Sequence, residues 1–515
     1  MNLLQTTHGL CAVIVAFFAQ MQTVQAQPSL SVMLSSTQRF VSPFLNGLEE
    51  SFYKNPGHVI LETVCILTIL FLILHRRLDP NSKESEKLSE KEELELIRDW
   101  VPLPLVSETA KQFTTRVVSS TTSDGCVNII GCKDKKLNMT SFDFLGLGNI
   151  QAFKDKCAKT IVKYGVGACG PRGFYGTVSP HLLFENEMAK FMGTEAAILY
   201  SDGLATFSSV IAAFSKSGDL IVCDEGVSYD IRCGIKLARS RAIFFKHNDM
   251  NDLKEKLTEI ENQERIIPKW SQHRRFIIVE GLYQNTGNIC PLDIVVSLKK
   301  QYKYRIMMDD SLGFGVLGET GRGTCEMQKV DVKDVDIWCT RLDTSLASVG
   351  GVCCGSLEVV KHQRLSGAGY VFSASSPMFT CTAAIEALRF IDKQRRLCAQ
   401  VRSNSKFLRH IISKRLSGKC TVTGDIVSPI VYLKFASEGN SSHITETYQF
   451  AAEHVFECFD TIVGVSTFSE GETIAPEPSL KVIVSASHTS AQLETLVKNL
   501  GSTIEEVVKL HGKNL

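Results

Sequence analysis

The stretch RRFIIVEGLYQNTGNICPLDIVVSLKKQYKYRIMMDD, residues 274–310, holds two short apolar runs around a helix-length segment that opens at Pro291. FIIVE and RIMMD are strand-length and β-branched or aliphatic, and each stops at a carboxylate. Val295, Val296 and Leu298 lie between them at helical spacing. A strand, a crossover helix and a second strand form the unit of a parallel sheet. The same alternation extends both ways. AAILY (196–200), LIVCD (220–224) and FFKHND (244–249) precede it, with helices after Gly203, through Ile235 and through Leu253 and Leu257. IWCT (337–340) and GGVCCG (350–355) come after it. Further upstream, Ser179-Pro180 reads as the N-cap and first residue of a helix carrying Leu183, Phe184, Met188 and Phe191 on one face. The fold class is therefore α/β, with a mainly parallel central sheet.

After Pro377 the texture changes. A long helix through Ile385 and Phe390 leads to strands at IVYLKF (430–435) and SLKVIVSAS (479–487), the pattern of a smaller C-terminal α+β lobe. In parallel sheets ligands bind at the carboxyl ends of strands. Asp202, Asp224, Glu280, Asp309 and Asp310 all fall there. Each alone is also an ordinary turn former or helix cap; their succession along consecutive strands makes them a candidate site.

Composition narrows the function. With 515 residues, 44% hydrophobic and 22% charged, the chain buries a sizeable core, and its net charge of +1 offers no basic field for nucleic acid. Its 17 cysteines are scattered, with no CxxC pair, which points to reduced, mostly buried thiols and no metal site.

The segment Val59–Leu74, VILETVCILTILFLIL, is apolar on nearly all sides and is followed by His75-Arg76-Arg77. Residues 57–77 are read as one transmembrane helix, and the basic end places the large domain in the cytosol. Residues 1–56 become a lumenal extension, in which Leu10–Ala19 and Val24-Gln25-Ala26 fit either a signal peptide or a loose tail. Residues 78–140 form a juxtamembrane linker with a charged helix in SKESEKLSEKEELELIRDW (82–100), 141–377 the large domain, and 378–515 the small one.

Longer motifs carry a resemblance. FDFLGL (142–147), YGVGACGPRGFYGT (164–177), SDG (201–203), EGLYQNTGNICPL (280–292), DDSLGFGVLGETGRG (309–323) and SLASVGGVCCG (345–355) form one set. HQRLSGAGYVFSAS (362–375), SASHTS (485–490) and KEELELIRDWVPLPLV (91–106) extend it, so that it covers roughly residues 50 to 510. The set resembles the α-oxoamine synthase family of fold-type I pyridoxal-phosphate enzymes, in particular its branch that condenses L-serine with palmitoyl-CoA. Such an enzyme needs a lysine for the Schiff base, a carboxylate that keeps the pyridine nitrogen protonated, and a polar cradle for the phosphate.

By that resemblance Asp309 takes the carboxylate place. Leu312 stands where the family usually has histidine, and Ser228 where catalytic members stack a second histidine on the ring. Six residues before Gly350, at the lysine position, stands Thr344, and no lysine occurs between Lys333 and Lys361. A threonine hydroxyl forms no imine. The resemblance therefore implies a non-catalytic subunit of an endoplasmic-reticulum membrane heterodimer, whose lysine-bearing second subunit binds the pyridoxal phosphate. Small regulatory membrane subunits are further candidate partners. Cys169, Gly170, Arg172 and Gly173 in the glycine-rich loop, with Ser373 and Ser375, are the residues expected to complete the partner's site or to line the interface. A homodimeric enzyme with an unusual site, or a membrane scaffold without chemistry, are the alternatives.

Overall fold

Aliphatic runs that end in carboxylates or glycines become the strands, and the amphipathic segments between them become the covering helices. A computed structural model describes residues 56–77, 89–101, 116–266, 273–436, 441–466 and 477–511. It divides into two compact units, residues 1–112 and 113–515.

The first unit holds α1 (Pro56–Arg77) and α2 (Glu90–Asp99). A capping box joins Ser89 and Glu92 at the start of α2, satisfying two backbone donors that a helix end leaves free. On α1 the apolar side chains of Leu61, Val64, Leu67, Ile69, Leu70, Phe71 and Leu72 are exposed. Among the described residues no helix is long and apolar enough to cross a membrane. The run Leu10–Ala19 and the 24–26 site lie outside the described residues.

In the second unit, β1 (Val118–Thr121), β2 (Cys126–Ile129) and β3 (Lys136–Asn138) form a small sheet completed by the short strand Thr461–Ile462. Leu137 pairs with Thr461 in parallel register, so part of the stretch read as linker builds onto the C-terminal lobe. The central sheet has seven strands: β4 (Ala196–Tyr200), β5 (Leu220–Asp224), β6 (Arg241–Phe245), β7 (Arg275–Glu280), β8 (Arg305–Asp309), β9 (Ile337–Arg341) and β10 (Gly351–Gly355). Their order is β4-β10-β9-β8-β7-β5-β6. Neighbours from β6 to β9 run parallel, and β10 runs against both β4 and β9. Strands buried on both faces explain their near-continuous apolar sequence.

The helices are α3 (Gln151–Tyr164), α4 (Ser179–Met192), α5 (Gly203–Phe214), α6 (Tyr229–Ala238), α7 (Met250–Ile266), α8 (Leu292–Tyr302), α9 (Leu357–Ser366) and α10 (Met378–Lys393). Helix α4 starts one residue earlier than its Ser-Pro pair suggests. Val178 is the N-cap and Ser179 the first helical residue, and the His181 ring, at the third helical position, accepts the Val178 N–H. Helix α10 buries Cys381, Ala384, Ile385, Leu388 and Ile391 in the core of the large domain, so its packing belongs there although the sequence texture changes at Pro377. A second core, around Leu408, Val431, Leu433, Val482, Leu493 and Leu496, closes the C-terminal lobe.

Candidate functional site

Strands β7 and β8 are in register so that Glu280 lies directly opposite Asp309. Both carboxylates are driven to the carboxyl edge of the sheet by the apolar runs behind them. There a small pocket is lined by Ser228, Asp230, Glu280, Leu282, Gln284, Asp309, Ser311, Leu312 and Arg341. The enterable space is about 10 Å³, room for one water at most.

Its polar groups are turned toward the protein. The Asp309 carboxylate accepts the N–H of Ser311 at 2.9 Å and also the Ser311 hydroxyl. The Ser311 hydroxyl oxygen in turn accepts the N–H of Arg341 at 2.9 Å. Glu280 accepts the N–H groups of Ser228 and, at 3.1 Å, of Gln284, while the Ser228 hydroxyl donates to Asp230. The Arg341 guanidinium is clasped by Asp343, with Nε donating at 2.9 Å. Thr344 is buried, and its hydroxyl donates to the Ser311 carbonyl at 2.9 Å.

Three carboxylates around one guanidinium, out of water, cannot all ionise cheaply. Burial, then the neighbouring Asp309 charge, pushes Glu280 up to about 8. Burial and Asp230 lift Asp309 to about 7, and burial raises Asp230.

Two of the five strand-end carboxylates thus meet in the pocket, and three are structural. Asp202 caps α5 by accepting the Ala205 N–H at 2.7 Å. Asp310 holds Thr324 by its N–H and hydroxyl and the indole of Trp338. Asp224 pairs with His247 Nδ1 at 2.9 Å, and His247 Nε2 lies 3.0 Å from the Thr286 hydroxyl. Sequence reasoning missed Asp230 and Arg341. Asp230 sits in the first turn of α6, where acids are common, and Arg341 ends β9, in a stretch that carries no family motif.

The glycine-rich loop is built differently. Cys169 is exposed with φ +53°, and Tyr175 is fully exposed with φ +64°. The turn holds because a Cβ on Gly176 would lie 2.0 Å from the Gly170 carbonyl and 2.5 Å from that of Pro171, contacts only glycine permits. Arg172 is turned away from solvent. Only 6% exposed, it turns inward to Glu185 on α4, Nη1 to Oε1 2.8 Å, and its Nε donates to the Thr177 hydroxyl. An extended cation would cost too much unpaired in that interior. Ser375 is also turned inward, its N–H and hydroxyl both donating to the Gly170 carbonyl. Ser373 donates to the Gly369 carbonyl and contacts the Ser201 hydroxyl at 2.9 Å. Gly173 has open space around it.

These residues do not fit pyridoxal phosphate. Among the described residues no lysine lines the pocket, and the space is too small for the cofactor's ring.

The seven-stranded sheet with its pocket at the strand ends defines the class: an α/β fold of the fold-type I pyridoxal-phosphate enzymes. The aminotransferase class I and II family description matches residues 134–500. The chain is 38% identical to serine palmitoyltransferase 1 of Dictyostelium discoideum, over 84% of this chain and 90% of that protein. It is 37% identical to long chain base biosynthesis protein 1b of Oryza sativa subsp. japonica, over 86% and 91%. Serine palmitoyltransferase of Sphingomonas wittichii shares the fold with a TM-score of 0.68 at 22% identity, covering 82% of this chain and 97% of that one. The chain belongs to the family of long-chain-base biosynthesis protein 1, also called serine palmitoyltransferase 1.

Proposed function

We propose that this chain is the lysine-less, membrane-anchored subunit of a serine palmitoyltransferase heterodimer. A second, lysine-bearing subunit binds pyridoxal phosphate, and the pair condenses L-serine with palmitoyl-CoA to 3-ketodihydrosphingosine, carbon dioxide and CoA. The observation that carries this reading is Thr344. It stands at the position where the resemblance expects the lysine, its hydroxyl is committed to the Ser311 carbonyl, and the described residues lining the pocket beside it include no amine.

This chain's contribution is then the glycine-rich loop, with Cys169 and Gly173 at its surface, and attachment to the endoplasmic reticulum membrane. The reading of an anchor rests on the sequence, on the apolar run Val59–Leu74 and the basic His75-Arg76-Arg77 after it, which suits a cytosolic end.

Co-expression tests the reading. Membranes carrying both subunits should convert labelled serine and palmitoyl-CoA, and membranes carrying either one alone should not. Turnover by this chain alone would overturn the proposal in favour of a homodimer. Unchanged activity of the partner with and without this chain would leave only a scaffold.

A further inference from the structure

A missing amine explains why no covalent bond to pyridoxal phosphate forms here. It does not explain the rest of the pocket. A site that had lost only its lysine would keep a hollow, a free carboxylate for the pyridine nitrogen and an open helix N-terminus for the phosphate. Here the hollow is closed, and the carboxylate and the helix N-terminus are each partly engaged.

The hollow is reduced to about 10 Å³. Two Ser311 donors engage one oxygen of the Asp309 carboxylate. The N-terminus of α5 already holds an anion, the Asp202 side chain. The stem of Arg341 packs on the next residue, since a Cβ on Gly203 would lie 3.1 Å from Arg341 Cγ. Among the described residues Arg341 is the one cation lining the pocket, and Asp343 holds it in a two-pronged grip. Its charge is therefore shared before any ligand arrives.

We propose that this chain rejects pyridoxal phosphate by volume as well as by the missing amine: Arg341, with Asp230 and Glu280, fills the place of the ring beside Asp309, so that a lysine restored at position 344 does not restore a cofactor site. The proposal rests on the reading of Thr344 as the imine position, and it makes Arg341 the filler of the hollow.

The test uses the full chain co-purified with its lysine-bearing partner. Thr344→Lys is incubated with pyridoxal phosphate, reduced with borohydride, digested and mapped by mass spectrometry. The expected result is label on the partner's lysine alone, one cofactor per pair of chains as in the unaltered complex. A phosphopyridoxyl group on the substituted residue in more than a tenth of the chains overturns the proposal.

If Thr344→Lys fails to assemble, equilibrium dialysis of the unaltered complex decides, because an open lysine-less site would still take the cofactor through its ring and phosphate. One cofactor per pair supports the closed pocket, and two overturn it. Arg341→Ala, with Thr344 unchanged, empties the hollow and should raise non-covalent uptake at least severalfold. No increase in that variant removes Arg341 as the filler and overturns the proposal as stated. Turnover by this chain alone, by contrast, bears on the subunit reading and is measured separately.

Discussion

Two buried charge clusters in the large domain are built on opposite terms. Under the glycine-rich loop, Arg172 pairs with Glu185, with side chains 3% and 5% exposed; Glu185 also accepts the Leu199 N–H at 3.0 Å and has the half-exposed Arg364 at 3.8 Å. At the strand ends, three carboxylates crowd one guanidinium that Asp343 already occupies. The first cluster is settled by pairing and behaves as a brace. The second is settled by protons, its carboxyl groups lifted toward neutral pH. Buried groups with displaced pKa values are typical of sites built for chemistry. An unbalanced cluster at the carboxyl edge of the sheet, beside a balanced one that only holds a loop, separates a candidate site from a structural joint.

The comparison breaks hardest at the brace. Glu185→Leu strands the Arg172 guanidinium in the interior and should destabilise the domain by about 3–5 kcal/mol, read as a fall in urea midpoint. Double replacement by Arg172→Met and Glu185→Leu should recover most of that loss, and a double variant no better than the single would refute the pairing. Gly176→Ala comes next. Its Cβ meets the Gly170 carbonyl at 2.0 Å, so about 2–3 kcal/mol is expected from overpacking, with exposure of Cys169 to thiol reagents as a second signal.

The proton-settled cluster predicts a pH dependence. Glu280 at about 8 and Asp309 at about 7 lie above their unfolded values near 4. The folded chain holds more protons than the unfolded one in between. Stability from these groups is therefore full below about pH 4 and is lost as pH rises through 7 and 8. Glu280→Gln should melt above the unaltered chain at pH 8.5, by a smaller margin at pH 6, and with it near pH 4. Equal curves at pH 8.5 and pH 6 would show that the cluster is not strained. The smallest effect belongs to Asp202→Ala, which removes an ordinary helix cap and should cost about 1 kcal/mol at any pH above 5.

Much of the fold was legible because it rests on periodicity. The strands at 220–224, 275–280 and 305–309 and the helix opening after Pro291 lie where the apolar runs place them. The boundary of the small lobe was less legible, since α10 packs backward onto the large core while its sequence texture is that of the lobe on its C-terminal side. The strand at 136–138 was hidden for a related reason: its outer partner, Thr461–Ile462, is more than three hundred residues away, and no local pattern announces such a pairing. Of the candidate site, Glu280, Asp309, Ser228 and Leu312 were legible as strand-end and motif positions and do converge. The inward turns of Arg172 and Ser375 were not. A side chain's direction depends on which neighbour offers a counter-charge or a carbonyl, and Glu185 and Gly170 do so only once the loop is folded.

The filled hollow has a consequence for the cell's supply of this polypeptide. A protein that binds a vitamin-derived group in its native state gains stability with the concentration of that group, and loses it in deficiency. A chain whose interior is already occupied by its own side chains draws no such support and suffers no such loss. Its abundance should stay level when vitamin B6 falls, while a companion that does hold the group becomes the scarcer half of the pair.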